Sequence, residues 1–329
     1  MQFKHLSLVS LLVTAALSVT STAQASNPSI RIMPLGDSIT HGTPVAGGYR
    51  DPLYHMLTAA GYNVDYVGTA TDNGSATLPD WDHEGHGGWR ISNASVGLYE
   101  HIYGWFEAIA DPHVVLVHIG TNDSSNDPSF SNAVTRLDAL ITRIATCQPS
   151  AHIIVTSLMK RSDANYIGIT NYFNPYVPGL VTNQAALGRR VTFLDMHAYL
   201  ELSDMADGLH PNAGGYTNMA AAWFGAITNV IAADAVTPNQ PAMIRAAGSN
   251  DHAHVAITLN KAVTVDTATN AANYAIDGGV TVTAAALSSN RRTVTLTTSA
   301  QTSGTLYTVT VNNVADDDAL TLSGSQIAF

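Results

Sequence analysis

Up to about residue 232 the chain alternates short apolar, β-branched runs with longer amphipathic ones, and few architectures accept that pattern. The short runs are 30–35, 63–67, 113–119, 152–156 and 191–194, and the long ones are 48–60, 92–109, 130–146, 175–187 and 215–231. Strand-length runs alternating with helix-length runs predict βαβ units, and so an α/β domain whose parallel sheet carries helices on both faces. Ligands of open α/β sheets sit beyond the carboxyl ends of the strands. The residues just after each short run are therefore the ones placed to carry chemistry. Gly36-Asp37-Ser38 comes after the first, and Gly120-Thr121-Asn122-Asp123 after the third.

Beyond residue 232 the pattern changes. Residues 233–241 hold two prolines and show no period, which predicts a linker, placed at 235–241. From 242 to 329 Thr, Val, Ala and Asn dominate. Runs of period two, such as Val255–Leu259, Thr293–Thr297 and Leu306–Val311, are separated by Asn, Gly and Ser turns. Such a segment predicts an all-β sandwich of immunoglobulin-like strand pattern. Its aromatic residues are few, which favours a spacer or interaction role over a polysaccharide-binding face.

Residues 1–25 combine Lys4, an apolar stretch from Leu6 to Val19, and Ala23-Gln24-Ala25, the pattern of a secretory signal peptide. The expected location is extracellular or periplasmic, with no membrane span. Cys147 is the only cysteine, so no intrachain disulfide can form, and it reads as a structural thiol in an amphipathic helix. The net charge of −11 disfavours nucleic acid and anionic membranes as partners.

Four separated stretches carry chemistry. They are Gly36-Asp37-Ser38, His83-Glu84-Gly85-His86-Gly87-Gly88-Trp89, Gly120-Thr121-Asn122-Asp123 and Asp207-Gly208-Leu209-His210. A serine hydroxyl needs a base to become a useful nucleophile, and histidine is the usual one. The histidine needs an acceptor at Nδ1 to fix its tautomer. Ser38, His210 and Asp207 supply nucleophile, base and orienting carboxylate. The backbone N–H groups of Ser38 and Gly88 and the amide of Asn122 supply donors for an oxyanion. Each stretch also has a bland reading: Asp37 and Ser38 as an Asx turn and helix cap, Asp207 as a turn residue, His210 as an exposed loop histidine.

Trp89 and Asp123 are the candidate substrate-binding residues. Trp89 and Trp81 read either as sugar platforms or as core, and Asp123, like Asp37, also as a turn-shaping residue. Asp82, His83, Glu84 and His86 lack the helical i, i+4 histidine pair of a zincin, so no metal and no cofactor is expected. Arg50 reads as a surface or capping residue, and Asp316-Asp317-Asp318 as a solvated turn rather than a calcium site.

Together the four stretches resemble the blocks of the SGNH, or GDSL-type, hydrolase superfamily, with Ser38, Gly88, Asn122 and His210 in that order. Met33-Pro34-Leu35-Gly36-Asp37-Ser38-Ile39-Thr40, Gly48-Tyr49-Arg50 and Val64-Asp65-Tyr66-Val67-Gly68 narrow the likeness. With His83–Trp89 and His118–Asp123 they are similar to the third family of carbohydrate esterases, whose characterised members resemble acetylxylan esterases. Gly87 departs from that pattern, where many relatives have Ser. The resemblance covers about residues 30–232. It implies a flavodoxin-like three-layer α/β/α catalytic domain, bounded here as 26–234. It also implies ester hydrolysis through an acyl-enzyme without a cofactor, with an acetylated polysaccharide as substrate. The competing expectations are a lipase-, lysophospholipase- or arylesterase-like hydrolase, and a non-catalytic carbohydrate-binding surface protein.

Overall fold

The structure, a computed structural model, describes residues 29–124, 128–234 and 241–329. The expected export segment 1–25 and residues 235–240 of the expected linker lie outside them. Seven short and long elements open the chain: β1 (Ile30–Gly36), α1 (Ser38–His41), α2 (Arg50–Ala59), β2 (Val64–Tyr66), β3 (Glu84–Gly85), α3 (Leu98–Ala108) and β4 (Val114–His118). Then come α4 (Asn132–Cys147), β5 (His152–Thr156), α5 (Asn165–Gly168), α6 (Val177–Ala186), β6 (Val191–Leu194) and α7 (Ala213–Asp234). The main strands are parallel in the order β2-β1-β4-β5-β6, and β3 pairs with the end of β1. Leaving out the two-residue β3, this is the strand order of a flavodoxin-type doubly wound sheet.

Successive strand residues point to opposite faces, and here both faces are apolar. Met33, Leu35, Val115, Val117, Ile153 and Val155 pack with α3, α4 and α6. Ile32, Val114, Leu116 and Ile154 pack with α2 and α7 on the other side. That is why β4 and β5 are buried at every position and read in the sequence as continuous apolar runs rather than alternating ones. Among the described residues no helix is long and apolar enough to cross a membrane.

The amphipathic run 92–109 becomes helix only from Leu98. The Asn93 side chain accepts from the N–H groups of Ser95 (3.1 Å) and Val96 (3.3 Å), and Arg90 N–H donates to Val96 O at 2.9 Å. A short polar side chain thus offers the backbone a turn in place of a helix.

After α7 the sheets are antiparallel. The elements are β7 (Met243–Gly248), β8 (His254–Leu259), α8 (Val265–Ala268), β9 (Tyr274–Ile276), β10 (Val282–Leu287) and β11 (Thr293–Thr298), followed by β12 (Thr308–Val311), β13 (Val314–Ala315), β14 (Thr321–Leu322) and β15 (Ser325–Ala328). They form sheets of four, three and two strands, ordered β10-β11-β8-β7, β15-β12-β9 and β13-β14. Val255, Ile257, Leu259, Val294, Leu296, Val309 and Val311 lie in one hydrophobic cluster, as the period-two pattern requires.

These sheets meet the amino-terminal ends of the parallel strands, and the contact corrects the expectation for Asp316–Asp318. Asp318 takes a bidentate bond from Arg31 in β1, both side chains being 4% exposed. Asp316 pairs with Lys261 at 2.7 Å and Asp317 with Arg291. Asp111, just before β4, accepts from Ala262 N–H (2.6 Å) and from Arg292 (3.2 Å). The three aspartates therefore anchor cations, those of Arg31 and Lys261 buried, rather than form a solvated turn. The Arg31 and Asp111 contacts join the sheets to the end of the parallel sheet away from Ser38.

Candidate active site

β1 ends at Gly36, and α1 starts two residues later. A side chain at Gly36 would place its Cβ 2.3 Å from His118 O and 2.4 Å from Thr40 Oγ1, and one at Gly85 would fall 2.4 Å from His41 N. Only glycine lets α1 sit this close to the strand ends. Asp37 caps α1 by accepting Ile39 N–H at 3.0 Å. It is fully buried, and burial, opposed by that bond, pushes its carboxyl up to about 6. Asp37 thus shapes the turn, and Ser38 opens the helix.

Ser38 Oγ lies 2.9 Å from His210 Nε2, and His210 Nδ1 lies 2.8 Å from Asp207 Oδ2. An ionised carboxylate only accepts. Nδ1 therefore carries the proton, and Nε2 is left with a lone pair for the serine hydroxyl. Asp207 Oδ1 also accepts the backbone N–H groups of His210 (2.7 Å) and Leu209 (3.0 Å). These bonds, the His210 N–H foremost, hold its carboxyl down to about 2 although it is largely exposed. Ala206 N–H donates to His210 O at 2.8 Å and Asn212 N–H to Asp204 O at 2.8 Å, which tie the loop to itself just before α7.

The strand register brings the Gly88 turn to the same end. Leu35 pairs with Glu84 and Gly36 with Gly85, and His86 N–H donates to Gly36 O at 3.0 Å. Gly88 has φ +79°, a left-handed conformation that glycine adopts without strain. Asn122 comes after β4, the other neighbour of β1, and its amide donates to Trp89 O at 2.8 Å, leaving its second N–H for another acceptor. Asn122 and the Gly88 turn are thus joined directly.

Trp89 is half-buried and stacked on His86, with ring centroids 4.4 Å apart, while His86 also stacks on Trp105 at 4.8 Å. Asp123 is 1% exposed at its side chain and accepts Ile91 N–H at 3.0 Å and Arg136 at 2.8 Å. It holds the loop after β4 to the loop after Gly88, the turn-shaping reading of this residue.

Several residues of weight here carried no strong signal in the sequence. Arg50 is fully buried, not a surface residue, and it caps the last carbonyls of α1. It donates to the carbonyls of Thr40 (3.2 Å), Trp81 (2.9 Å), His41 (3.1 Å) and Asn73 (3.2 Å), and burial lowers its pKa. A cation at the first position of a helix opposes the helix dipole, and that was the available hint. His83 accepts Gly85 N–H at Nδ1 (2.9 Å) and donates from Nε2 to Asp72 O (2.9 Å). Glu84, fully buried, binds His86 at 2.7 Å. The His83–His86 stretch is therefore knitted into the loop, with both nitrogens of His83 occupied. Among the described residues no group of three or more His, Cys, Asp or Glu is arranged to hold a metal ion.

Residues 35–217 match the model of the GDSL-like Lipase/Acylhydrolase family. A multidomain esterase of Ruminococcus flavefaciens is 32% identical over 236 residues, which is 65% of this chain but 30% of that protein. Among solved structures, a family 3 carbohydrate esterase of Clostridium thermocellum superposes with TM-score 0.53 at 33% identity, over 62% of this chain and 98% of that one. A family 3 carbohydrate esterase of Talaromyces cellulolyticus gives TM-score 0.52 at 27% identity, over 62% and 99%. The matched stretch contains Ser38, Gly88, Asn122, Asp207 and His210, and on that footing the chain belongs to the GDSL-like lipase/acylhydrolase family, whose members are carboxylic ester hydrolases.

Proposed function

We propose that the protein is an exported serine esterase that removes small acyl groups, acetyl foremost, from carbohydrate esters. The observation that carries the mechanism is the unbroken chain Ser38–His210–Asp207, with links of 2.9 and 2.8 Å. The Ser38 hydroxyl passes its proton to His210 Nε2 as Oγ attacks the ester carbonyl. The resulting oxyanion lies on the N–H groups of Ser38 and Gly88 and the free N–H of Asn122. His210 then protonates the departing sugar oxygen, leaving an acyl-enzyme. Water, deprotonated by the same ring, releases the acid and restores Ser38. Asp207, held ionised, keeps Nδ1 protonated and stabilises the imidazolium formed at each step.

The carbohydrate substrate is supported by the two family 3 carbohydrate esterases among the structural neighbours. Export is supported by the Ala23-Gln24-Ala25 pattern after an apolar segment. Residues 242–329, with their own apolar cluster and two larger antiparallel sheets, are read as an immunoglobulin-like accessory domain. Comparing acetyl with octanoyl p-nitrophenyl esters, and acetylated xylan with a lysophospholipid, tests the substrate class. Preference for acetyl and the xylan supports it; preference for the long chain and the lipid points to a lipase-like hydrolase.

A further inference from the structure

Trp81 is 42% exposed, yet its ring is held in place and its main chain is tied down. Its indole N–H donates to Leu78 O at 2.7 Å. Gly74 covers one face so closely that a Cβ there would fall 2.1 to 2.3 Å from three ring atoms. The Trp81 carbonyl accepts Arg50 Nη1 at 2.9 Å. The same guanidinium donates to Thr40 O and His41 O in α1, the helix that Ser38 opens, and Asn73 Nδ2 donates to His41 O at 2.8 Å. The loop that presents the indole and the helix that presents the serine are therefore one body, joined through a buried cation.

We infer that Trp81 is a stacking platform for a sugar ring of the substrate, a subsite beside the reacting ester. This rests on the carbohydrate-ester reading. Exposure alone is ordinary for an apolar side chain; what sets Trp81 apart is that its exposed ring is already immobilised, so little further ordering entropy is lost when a flat partner arrives. A pyranose offers such a partner, with an apolar C–H face for the free side of the indole and hydroxyls around its edge. The segments joined to Trp81 through Arg50 also carry exposed polar groups for those hydroxyls. The Asp72 carboxylate is 72% exposed and lies 3.2 Å from His41 Nε2, and the His41 side chain is 26% exposed. The indole N–H is already used by Leu78, so recognition runs through the ring face. The bland reading is that the indole only shields Gly74.

The test compares p-nitrophenyl acetate with acetylated xylotetraose for wild type, Trp81→Ala, Trp81→Tyr and Gly74→Ala. The expected result for Trp81→Ala is a roughly 10-fold loss of kcat/KM on the tetraose, mostly through KM, the order an aromatic contact contributes. Turnover of p-nitrophenyl acetate stays near wild type. Trp81→Tyr recovers much of the loss, and Gly74→Ala, which displaces the ring, reproduces it. An unchanged KM for the tetraose in Trp81→Ala, or an equal fall on both substrates, overturns the platform and leaves the carbohydrate-ester reading standing. A wild-type enzyme that hydrolyses p-nitrophenyl acetate but ignores the tetraose overturns that reading and the platform together.

Discussion

Asp207 grips His210 twice, its Oδ2 facing the ring Nδ1 at 2.8 Å and its Oδ1 accepting the main-chain N–H of the same residue at 2.7 Å. Ring tautomer and loop conformation are thus set by one carboxylate. Asp207→Asn retains much of the shape but presents an amide to Nδ1. The expected loss in kcat is about 10²- to 10⁴-fold with little change in KM, read by steady-state kinetics on a short p-nitrophenyl ester. A loss under twofold would reduce Asp207 to a loop-former.

Arg50 tests whether the catalytic-face loops are held by a buried fork. Arg50→Lys replaces a planar, multiply donating group by a point charge that cannot reach four carbonyls at once. At about 1–3 kcal/mol for each buried group left unpaired, a destabilisation of about 3 kcal/mol is expected. Urea denaturation of the full chain measures it, and a change within about 0.5 kcal/mol, the usual span at an uninvolved surface site, would contradict a knitting role.

The Arg31–Asp318 pair spans 287 positions of sequence and joins the carboxy-terminal region to β1. Removing one partner of a buried ion pair strands the other, at a typical cost of about 3–5 kcal/mol. Asp318→Ala should therefore lower the melting temperature markedly. Hydrolysis of a small ester well below that temperature should stay at the wild-type rate, because the contact lies at the opposite end of the sheet from Ser38. A normal melting temperature in Asp318→Ala would show the contact to be unimportant in solution.

His83 contributes to the pH dependence of stability. Burial foremost, with the charge of Arg50 adding to it, depresses its pKa from 6.5 to about 3, and Nδ1 must keep its lone pair for Gly85 N–H. As pH falls, the unfolded chain takes up this proton first. The contribution of His83 is therefore complete above 6.5 and is lost progressively toward about 3. His118, also buried and held down to about 4 by burial, acts with the same sign. Asp37, raised to about 6, acts with the opposite sign between its ordinary value and 6. Asp82, also raised to about 6, opposes them likewise, so the test is the difference between two proteins: in melting curves from about pH 7 down to about pH 4, His83→Gln should lose less stability, or gain more, than the wild type. Equal slopes in the two proteins would remove His83 from the balance.

The legible part of the sequence was local. Short apolar, β-branched runs marked β5 and β6 to the residue, with Ser157 following β5 and Arg190 and Asp195 flanking β6. Asp207 and His210 were legible because an Asp-x-x-His loop closes its own hydrogen bonds. Arg50, Asp316 and Asp318 were misread because their partners are distant in sequence, and a charged residue looks the same in a line of letters whether it faces water or a buried carbonyl. Residues 92–97 were misread because the Asn93 side chain outcompeted a helical pattern that was otherwise sound.

The most direct measurement is hydrolysis of p-nitrophenyl acetate by Ser38→Ala, with the fold monitored by circular dichroism and melting temperature. Removing the hydroxyl leaves Asp207, His210 and the Asn122 contact in place, so the fold should persist. The rate should fall by at least about 10³-fold, leaving only what binding and the oxyanion donors provide, and no acyl-enzyme should be detected by intact-mass analysis. A folded Ser38→Ala protein with near wild-type activity would contradict Ser38 as the nucleophile and the mechanism built on it.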